Sequence, residues 1–234
     1  MIRIAGLTVQ FGGHKAIDHL DAVLGDPVCG LIGPNGAGKT TLVNVLSGMV
    51  QPSLGEVEID GVSLLPLTSV QRVKLGLRRS FQTEQVVEDL SVWDNVRAVL
   101  DHVPQGAESV AHQTANVLAY TGLTEVATTL GMALNLFQRR MVEVAKSLVG
   151  QPRLLLFDEP GAGLNEHESA TLRQALLGIH AFCGAQVLLI DHDVALIAAT
   201  CTQTLVMDFG HQLALGPTNE VLADPAVRRA YLGT

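Results

Sequence analysis

Gly33-Pro34-Asn35-Gly36-Ala37-Gly38-Lys39-Thr40 decides how the rest of the chain reads. The stretch fits a glycine, four free positions, then Gly-Lys-Ser/Thr. Its flanks fit as well, since Val28 to Ile32 reads as a short buried strand and Thr41 to Leu46 as a helix. Glycines let backbone amides turn inward without a Cβ in the way, so successive N–H groups and the positive end of the following helix can wrap a polyphosphate. Lys39 then reaches the β and γ phosphates, and Thr40 offers its hydroxyl to Mg²⁺. The competing reading, a glycine-rich turn ahead of a helix, is weak. A match this strict arises by accident in roughly one chain in a hundred of this length.

Composition bounds what surrounds the loop. With 234 residues the chain can bury a sizeable core in one large α/β domain, with or without an inserted lobe. Hydrophobic residues make up 47 % and the mean hydropathy is +0.31. No run approaches eighteen uninterrupted apolar residues, so no membrane span is expected. No charged segment followed by an apolar one opens the chain, so no export signal is expected either. The net charge of −8 and a pI of about 5.4 argue against nonspecific binding to DNA or to anionic lipid, and no nucleic-acid partner is expected. Cys29, Cys183 and Cys201 are odd in number, far apart and without metal spacing. That suits a reducing cytosol, with each thiol a small buried hydrophobe.

Taken in order, residues 2 to 11 alternate as a strand and break at Gly12-Gly13, and Leu20 to Leu24 reads as a second strand. Phe11 reads equally as a strand-end core aromatic or as a flat surface for an adenine ring. Past Gly55, Glu56 to Ile59 alternates before the hairpin signal Asp60-Gly61, and Thr68 with Gln71 has the spacing of a capping box for a helix toward Leu75. Leu77 to Gln82 reads as a strand ending in a polar side chain, and Ser91 with Asp94 starts a helix over Val92 to Leu100. From about 84 to 148 the pattern is helical, broken at Pro104-Gln105-Gly106, Gly122 and Gly131, and is taken as an inserted lobe. Leu154 to Phe157 has no room for an exposed face and reads as a central parallel strand. Asn165 with Glu168 caps a long helix to about Phe182, Val187 to Ile190 is a further buried strand, and a helix over Val194 to Ala199 follows. Thr204 to Met207 and Gln212 to Leu215 form a last hairpin around Gly210, and short helices start at Thr218 and at Asp224-Pro225.

Two adjacent carboxylates closing a buried strand are costly unless a cation or a proton takes up the charge. Asp158 and Glu159 therefore point to a metal, with Asp158 holding Mg²⁺ and Glu159 polarising the water that attacks the γ phosphate. A solvated turn pair is the commoner meaning of Asp-Glu, but four apolar residues immediately before it make that the poorer reading. His192 ends the other buried strand. Structural in most proteins, a histidine beside a phosphate site can bond to the γ phosphate or orient water.

With these residues on the page, the chain resembles the ATP-binding subunits of ABC transporters over nearly its whole length. The phosphate loop, Phe11, Gln82 in Ser80-Phe81-Gln82, Leu155 to Pro160, Gly161 to Asn165 and His192 all occur in the family's order and spacing. The Asn-Lys-x-Asp base reader of a GTPase is absent from the sequence. Within the family the chain looks most like the subunits of branched-chain amino acid importers and their urea and amide relatives. Arg79 to Gln82, Ala162 to Asn165, Ile190 to Asp193 and Arg229 to Gly233 carry that likeness.

The resemblance implies an α/β fold: a P-loop (RecA-like) core with an N-terminal antiparallel β subdomain, together residues 1–83 and 149–234, and an inserted α-helical subdomain, residues 84–148. It implies ATP and Mg²⁺ as ligands. Gly33, Pro34, Asn35, Gly36, Ala37, Gly38, Lys39, Thr40 and Thr41 would hold the nucleotide and Phe11 would stack on its base. Thr40, Gln82 and Asp158 would arrange the metal, and Glu159, His192 and Gln82 would serve catalysis. Implied partners are a second ATPase subunit, membrane-spanning permease subunits and, indirectly, a solute-binding protein, with the chain at the inner face of the cell membrane. Two other readings stand beside this one: an ATP-binding clamp with little hydrolysis, and a soluble ABC ATPase without a transport role.

One departure matters. Leu134-Asn135-Leu136-Phe137-Gln138 stands where the family carries Leu-Ser-Gly-Gly-Gln, whose amides meet the γ phosphate bound by the opposite subunit. Asn135 and Gln138 can still form a helix start, but Phe137 puts a bulky side chain where close backbone approach is needed. Either the backbone and cap survive and the ring swings aside, or one of the two composite sites is slow.

Overall fold

The structure is a computed structural model; it describes all residues except Gln82, Gly233 and Thr234, and says nothing of the side chains of Tyr231 and Leu232. The roles expected of Gln82 therefore lie outside the described residues. Two compact units are present, Met1–Arg72 with Gln186–Thr234, and Val73–Ala185.

The first unit contains an antiparallel sheet and a largely parallel one. The antiparallel sheet is ordered β2-β1-β4-β5, with β1 at Ile2–Phe11, β2 at His14–Leu24, β4 at Leu54–Ile59 and β5 at Val62–Ser63. Alternation fixes its inner face: Ile2, Ile4, Leu7 and Val9 are buried. β2 starts six residues earlier than the expected Leu20. Leu7 pairs with Leu20 but Val9 pairs with Ile17, so Asp18 and His19 together face Thr8 as a bulge. His19 sits at φ 55°, and its amide donates to Thr8 Oγ1 at 3.2 Å. An extra residue reverses which side chains face inward, and that hid the strand from its period of two.

The second sheet of this unit runs β10-β9-β3-β8, with β3 at Val28–Ile32, β8 at Gln186–Ile190, β9 at Gln203–Asp208 and β10 at His211–Pro217. β3 pairs in parallel with β8 and with β9, and every residue of β3 and β8 is buried. Both faces of these strands are covered, as their unbroken apolar runs require. Helix α1, Lys39–Ser47, leaves the end of β3 and stops at Gly48, whose φ of 79° is left-handed. α2, Ser69–Leu75, starts on the expected capping box: Thr68 N donates to Gln71 Oε1 at 2.8 Å and Gln71 N to Thr68 Oγ1 at 3.3 Å. From it the fully buried Arg72 donates to the carbonyls of Val45, Leu46 and Leu67, satisfying the end of α1 and meeting its negative pole. α7, Val194–Thr200, is capped by Asp193, and α8, Thr218–Ala223, and α9, Pro225–Val227, follow β10.

In the second unit β6, Leu77–Arg79, lies parallel to β7, Leu154–Asp158, with Leu77 beside Leu154 and Arg79 beside Leu156. β6 is shorter than expected. Around it stand α3 (Val92–Leu100), α4 (Val110–Tyr120), α5 (Leu136–Leu148) and α6 (Glu166–Cys183). The rings of Tyr120 and Phe182 stack at 4.2 Å between centroids, and a Cβ on Gly178 would meet the Tyr120 hydroxyl at 2.6 Å.

Residues 84 to 90 are not helical, against expectation. Asn95, nearly fully buried, accepts from Val87 N at 2.8 Å and donates to the carbonyls of Val87, Leu90 and Ser91. One side-chain amide thus supplies the bonds a helix would have made internally. Thr124–Val126 and Gly131–Ala133 are single 3₁₀ turns, and Gly131 and Met132 donate to Leu90 and Glu88. Cys29 and Cys201 are buried and Cys183 only partly so, which corrects the expectation for the last. Burial pushes all three thiols up, Cys29 to about 11 and Cys201 to about 12, so they stay protonated and poor nucleophiles near neutral pH. Among the described residues no helix is long and apolar enough to cross a membrane.

Candidate functional site

In the first unit the chain leaves β3 through Gly33 at φ 149°, Gly36 at 81° and Gly38 at 99°. A Cβ on Gly33 would meet Met207 O at 2.1 Å, and one on Gly38 would meet Ala16 O at 2.6 Å. Both positions are closed to any other residue by space as well as by conformation. Ala37 N donates back to Pro34 O at 3.2 Å, and Gly210 N donates to Ala37 O at 3.1 Å, so the loop is pinned to the β9–β10 turn. Lys39 folds over the loop, its Nζ donating to Gly33 O at 2.6 Å and Pro34 O at 2.9 Å.

Gly38 is the N-cap of α1, and among the described residues no side chain caps that helix. A glycine at that place supplies no side-chain oxygen of the kind a serine or asparagine cap would bring. A cradle of backbone amides, a positive helix end and an ammonium held over it fit a polyphosphate. Thr40 is exposed and Thr41 half-buried, both in the first turn, while Asn35 and Gly36 are exposed at the crest of the loop.

Phe11 closes β1, pairs with His14 across the hairpin and is 52 % exposed. That excludes the core reading. His192 does not end β8 but stands two residues past its last residue, Ile190, with its side chain largely exposed; its Nδ1 lies 3.7 Å from Asp191 Oδ1, and that buried carboxylate also accepts from Asp193 N at 2.9 Å. Asp191, which the sequence marks only as part of Ile190 to Asp193, is thus a buried carboxylate at a strand end beside His192.

In the second unit Asp158 is the last residue of β7 and is buried. Its amide donates to Ser80 Oγ at 3.2 Å, and Ser80 N donates to Leu156 O at 2.9 Å. Burial pulls the Arg79 guanidinium down, while the Asp158 charge opposes that shift; the same guanidinium lies 5.0 Å over the Phe81 ring. Glu159 has φ 50°, a left-handed conformation that costs a non-glycine residue on the order of 1 kcal/mol and is typical of functional turns. Its carbonyl accepts from Ala162 N at 3.2 Å, so the turn after the strand is closed. Among the described residues no three His, Cys, Asp or Glu side chains gather as a metal cage. Mg²⁺ seldom needs one, because one or two carboxylates plus phosphate oxygens and waters complete its octahedron.

The start of α5 answers the question Phe137 raised about local structure. Asn135 is the N-cap: its Oδ1 accepts from Gln138 N at 2.8 Å, and Gln138 Oε1 accepts from Asn135 N at 3.1 Å. The backbone and cap survive. Phe137 is half-buried and Leu136 39 % exposed, so neither ring nor methyls disturb the helix start. Arg140, one turn on, pairs with Glu84 at 3.2 Å and donates to Ala162 O at 3.4 Å, tying α5 to the turn after Glu159. Sequence reading missed this link, since residues 84, 140 and 162 carry no common motif.

Comparison with known proteins follows the same lines. The sequence pattern of the family described as "ABC transporter" matches residues 23–162. The chain is 30 % identical over 249 residues to the high-affinity branched-chain amino acid transport ATP-binding protein BraF of Pseudomonas aeruginosa, covering 100 % of this chain and 98 % of that one. It is 32 % identical over 250 residues to LivG of Salmonella typhimurium, a protein of the same description, with the same coverage. A solved ATP-binding cassette of an ABC transporter in its ADP conformation superposes with a TM-score of 0.87 at 24 % identity, covering 100 % of this chain and 99 % of that one. At that identity the likeness is one of fold.

Proposed function

The chain belongs to the ABC transporter family as an ATP-binding ATPase subunit, and we propose that it hydrolyses ATP to drive import of a branched-chain amino acid or a related small polar solute such as urea or an amide. It works as a dimer on the inner face of the membrane, beside permease subunits that receive solute from a binding protein. The helical subdomain of residues 84–148 docks the permease. Lys39 and the amides of Gly33 to Thr41 bind the phosphates, and Phe11 stacks on the base. Thr40 and Asp158, with Gln82, hold Mg²⁺, which when bound neutralises phosphate charge. Glu159 takes a proton from the attacking water, and His192 donates to the γ phosphate.

The observation that carries this reading is Lys39 folded onto Gly33 O and Pro34 O in a glycine-shaped loop that leads through left-handed Gly38 into α1. Single-turnover ATP hydrolysis by wild type and by Glu159→Gln tests it. A fall of at least about 10²-fold in the variant is expected, and copurification from membranes should bring permease subunits with the chain.

Phe137 and the self-satisfied cap of α5 favour a second reading of this helix, in which the chain pairs with a different ATPase subunit and only the site built on its own Lys39 is fast. Full turnover by a homodimer would reject that asymmetric pair. Equal single-turnover rates for wild type and Glu159→Gln would instead mark the chain as an ATP-binding clamp.

A further inference from the structure

The β9–β10 turn holds an aromatic ring where a small residue belongs. Asp208 pairs with His211, so Phe209 and Gly210 form a two-residue loop, and both have left-handed backbone, φ 43° and 81°. This is the turn that Asn-Gly fits with least strain, and a bulky side chain at its first position is an outlier. Phe209 is 84 % exposed, so burial of its ring offsets none of that strain.

The turn is held from three sides. Asp18 N, freed by the bulge in β2, donates to Gly210 O at 2.9 Å; Gly210 N donates to Ala37 O in the phosphate loop at 3.1 Å; and a Cβ on Gly210 would meet Ala16 O at 2.9 Å. Ala16 is two residues, about 7 Å, along β2 from His14, the cross-strand partner of Phe11. Two exposed phenylalanines therefore stand on hairpin tips that both adjoin β2, and the turn that carries Phe209 is bonded to the phosphate loop. Lys15, His14, His19 and His211 share that edge, and Lys15 bonds to Asp18 at 2.9 Å, holding its carboxyl below the usual range.

Resting on the nucleotide reading above, we infer that Phe209 is a second base-contacting residue, giving the purine or ribose of a bound nucleoside triphosphate an apolar surface in addition to Phe11. The phosphate loop fixes the turn, the turn fixes the backbone from which the ring projects, and the strained conformation is the cost of keeping an aromatic at that point.

The test compares Mg·ATP with Mg·tripolyphosphate, which has the phosphates but no base, by calorimetric titration of wild type, Phe209→Asn and Phe209→Tyr. Asparagine suits the left-handed position, so the variant should melt at or above the wild-type temperature. Expected is a loss of about tenfold in ATP affinity for Phe209→Asn, with tripolyphosphate affinity unchanged and Phe209→Tyr close to wild type. Unchanged ATP affinity in a folded Phe209→Asn would overturn the inference while leaving the phosphate site intact. Equal weakening of both ligands would overturn it too, by showing that the turn acts through the loop. Failure of wild type to bind either ligand would instead remove the nucleotide reading on which it rests.

Discussion

Helices α1 and α5 both begin where the family reading puts phosphate, yet their first turns are built in opposite ways. α1 opens on a left-handed glycine that offers no side-chain cap, and its first residue, Lys39, folds back onto the carbonyls of the loop before it. α5 opens on Asn135 and Gln138, each accepting the other's backbone amide. The first helix draws no cap from its N-cap side chain; the second takes one from its own sequence. Preorganisation for an anion and stability in its absence are competing demands on one helix end, and on the proposed function this chain would meet them on different helices.

The comparison breaks most visibly at Lys39. Lys39→Ala should cut ATPase turnover by roughly 10³-fold, and turnover within tenfold of wild type would mean that α1 does not hold the triphosphate. At the other end of the same helix, Arg72→Met takes the side-chain donor from the carbonyls of Leu46 and Leu67 and leaves Val45 O only its bond from Gly48 N. Urea unfolding should register a loss of about 2 kcal/mol, the cost of buried backbone acceptors losing a charged donor. If α5 is handicapped by its aromatic, Phe137→Gly should raise steady-state turnover about tenfold. A flat response would place the handicap in the cap or nowhere. Asn135→Ala should cost about 1 kcal/mol in the same unfolding assay, and Asn165→Ala at the parallel capping box of α6 should cost as much. A much smaller cost at Asn135 would mean that α5 is held by Arg140 and Glu84 rather than by its cap.

What could be read in advance follows from where the information lies along the chain. β3, β7 and β8 are continuous apolar runs, and the capping boxes at Thr68 and Asn165 are short-range patterns, so all were legible in the sequence. The phosphate loop was legible because glycine spacing encodes backbone shape directly. The first half of β2 was not, since a bulge at Asp18 and His19 reverses the alternation that marks a strand. Residues 84 to 90 have a composition that suits a helix, but Asn95 holds them in another conformation from outside the segment. Ser80 under Asp158 and Arg72 under α1 act across tens of residues, and no local window contains both partners.

The bulge in β2 makes chain length itself a functional variable at one point. Removing His19 would let β2 run straight against β1, which by itself looks like an improvement in pairing. It would also turn the Asp18 amide toward the opposite side of the strand, away from Gly210, and unhitch the Asp208–His211 hairpin from its mooring. A deletion harmless to the sheet would then loosen a loop that lies almost two hundred positions further along the chain.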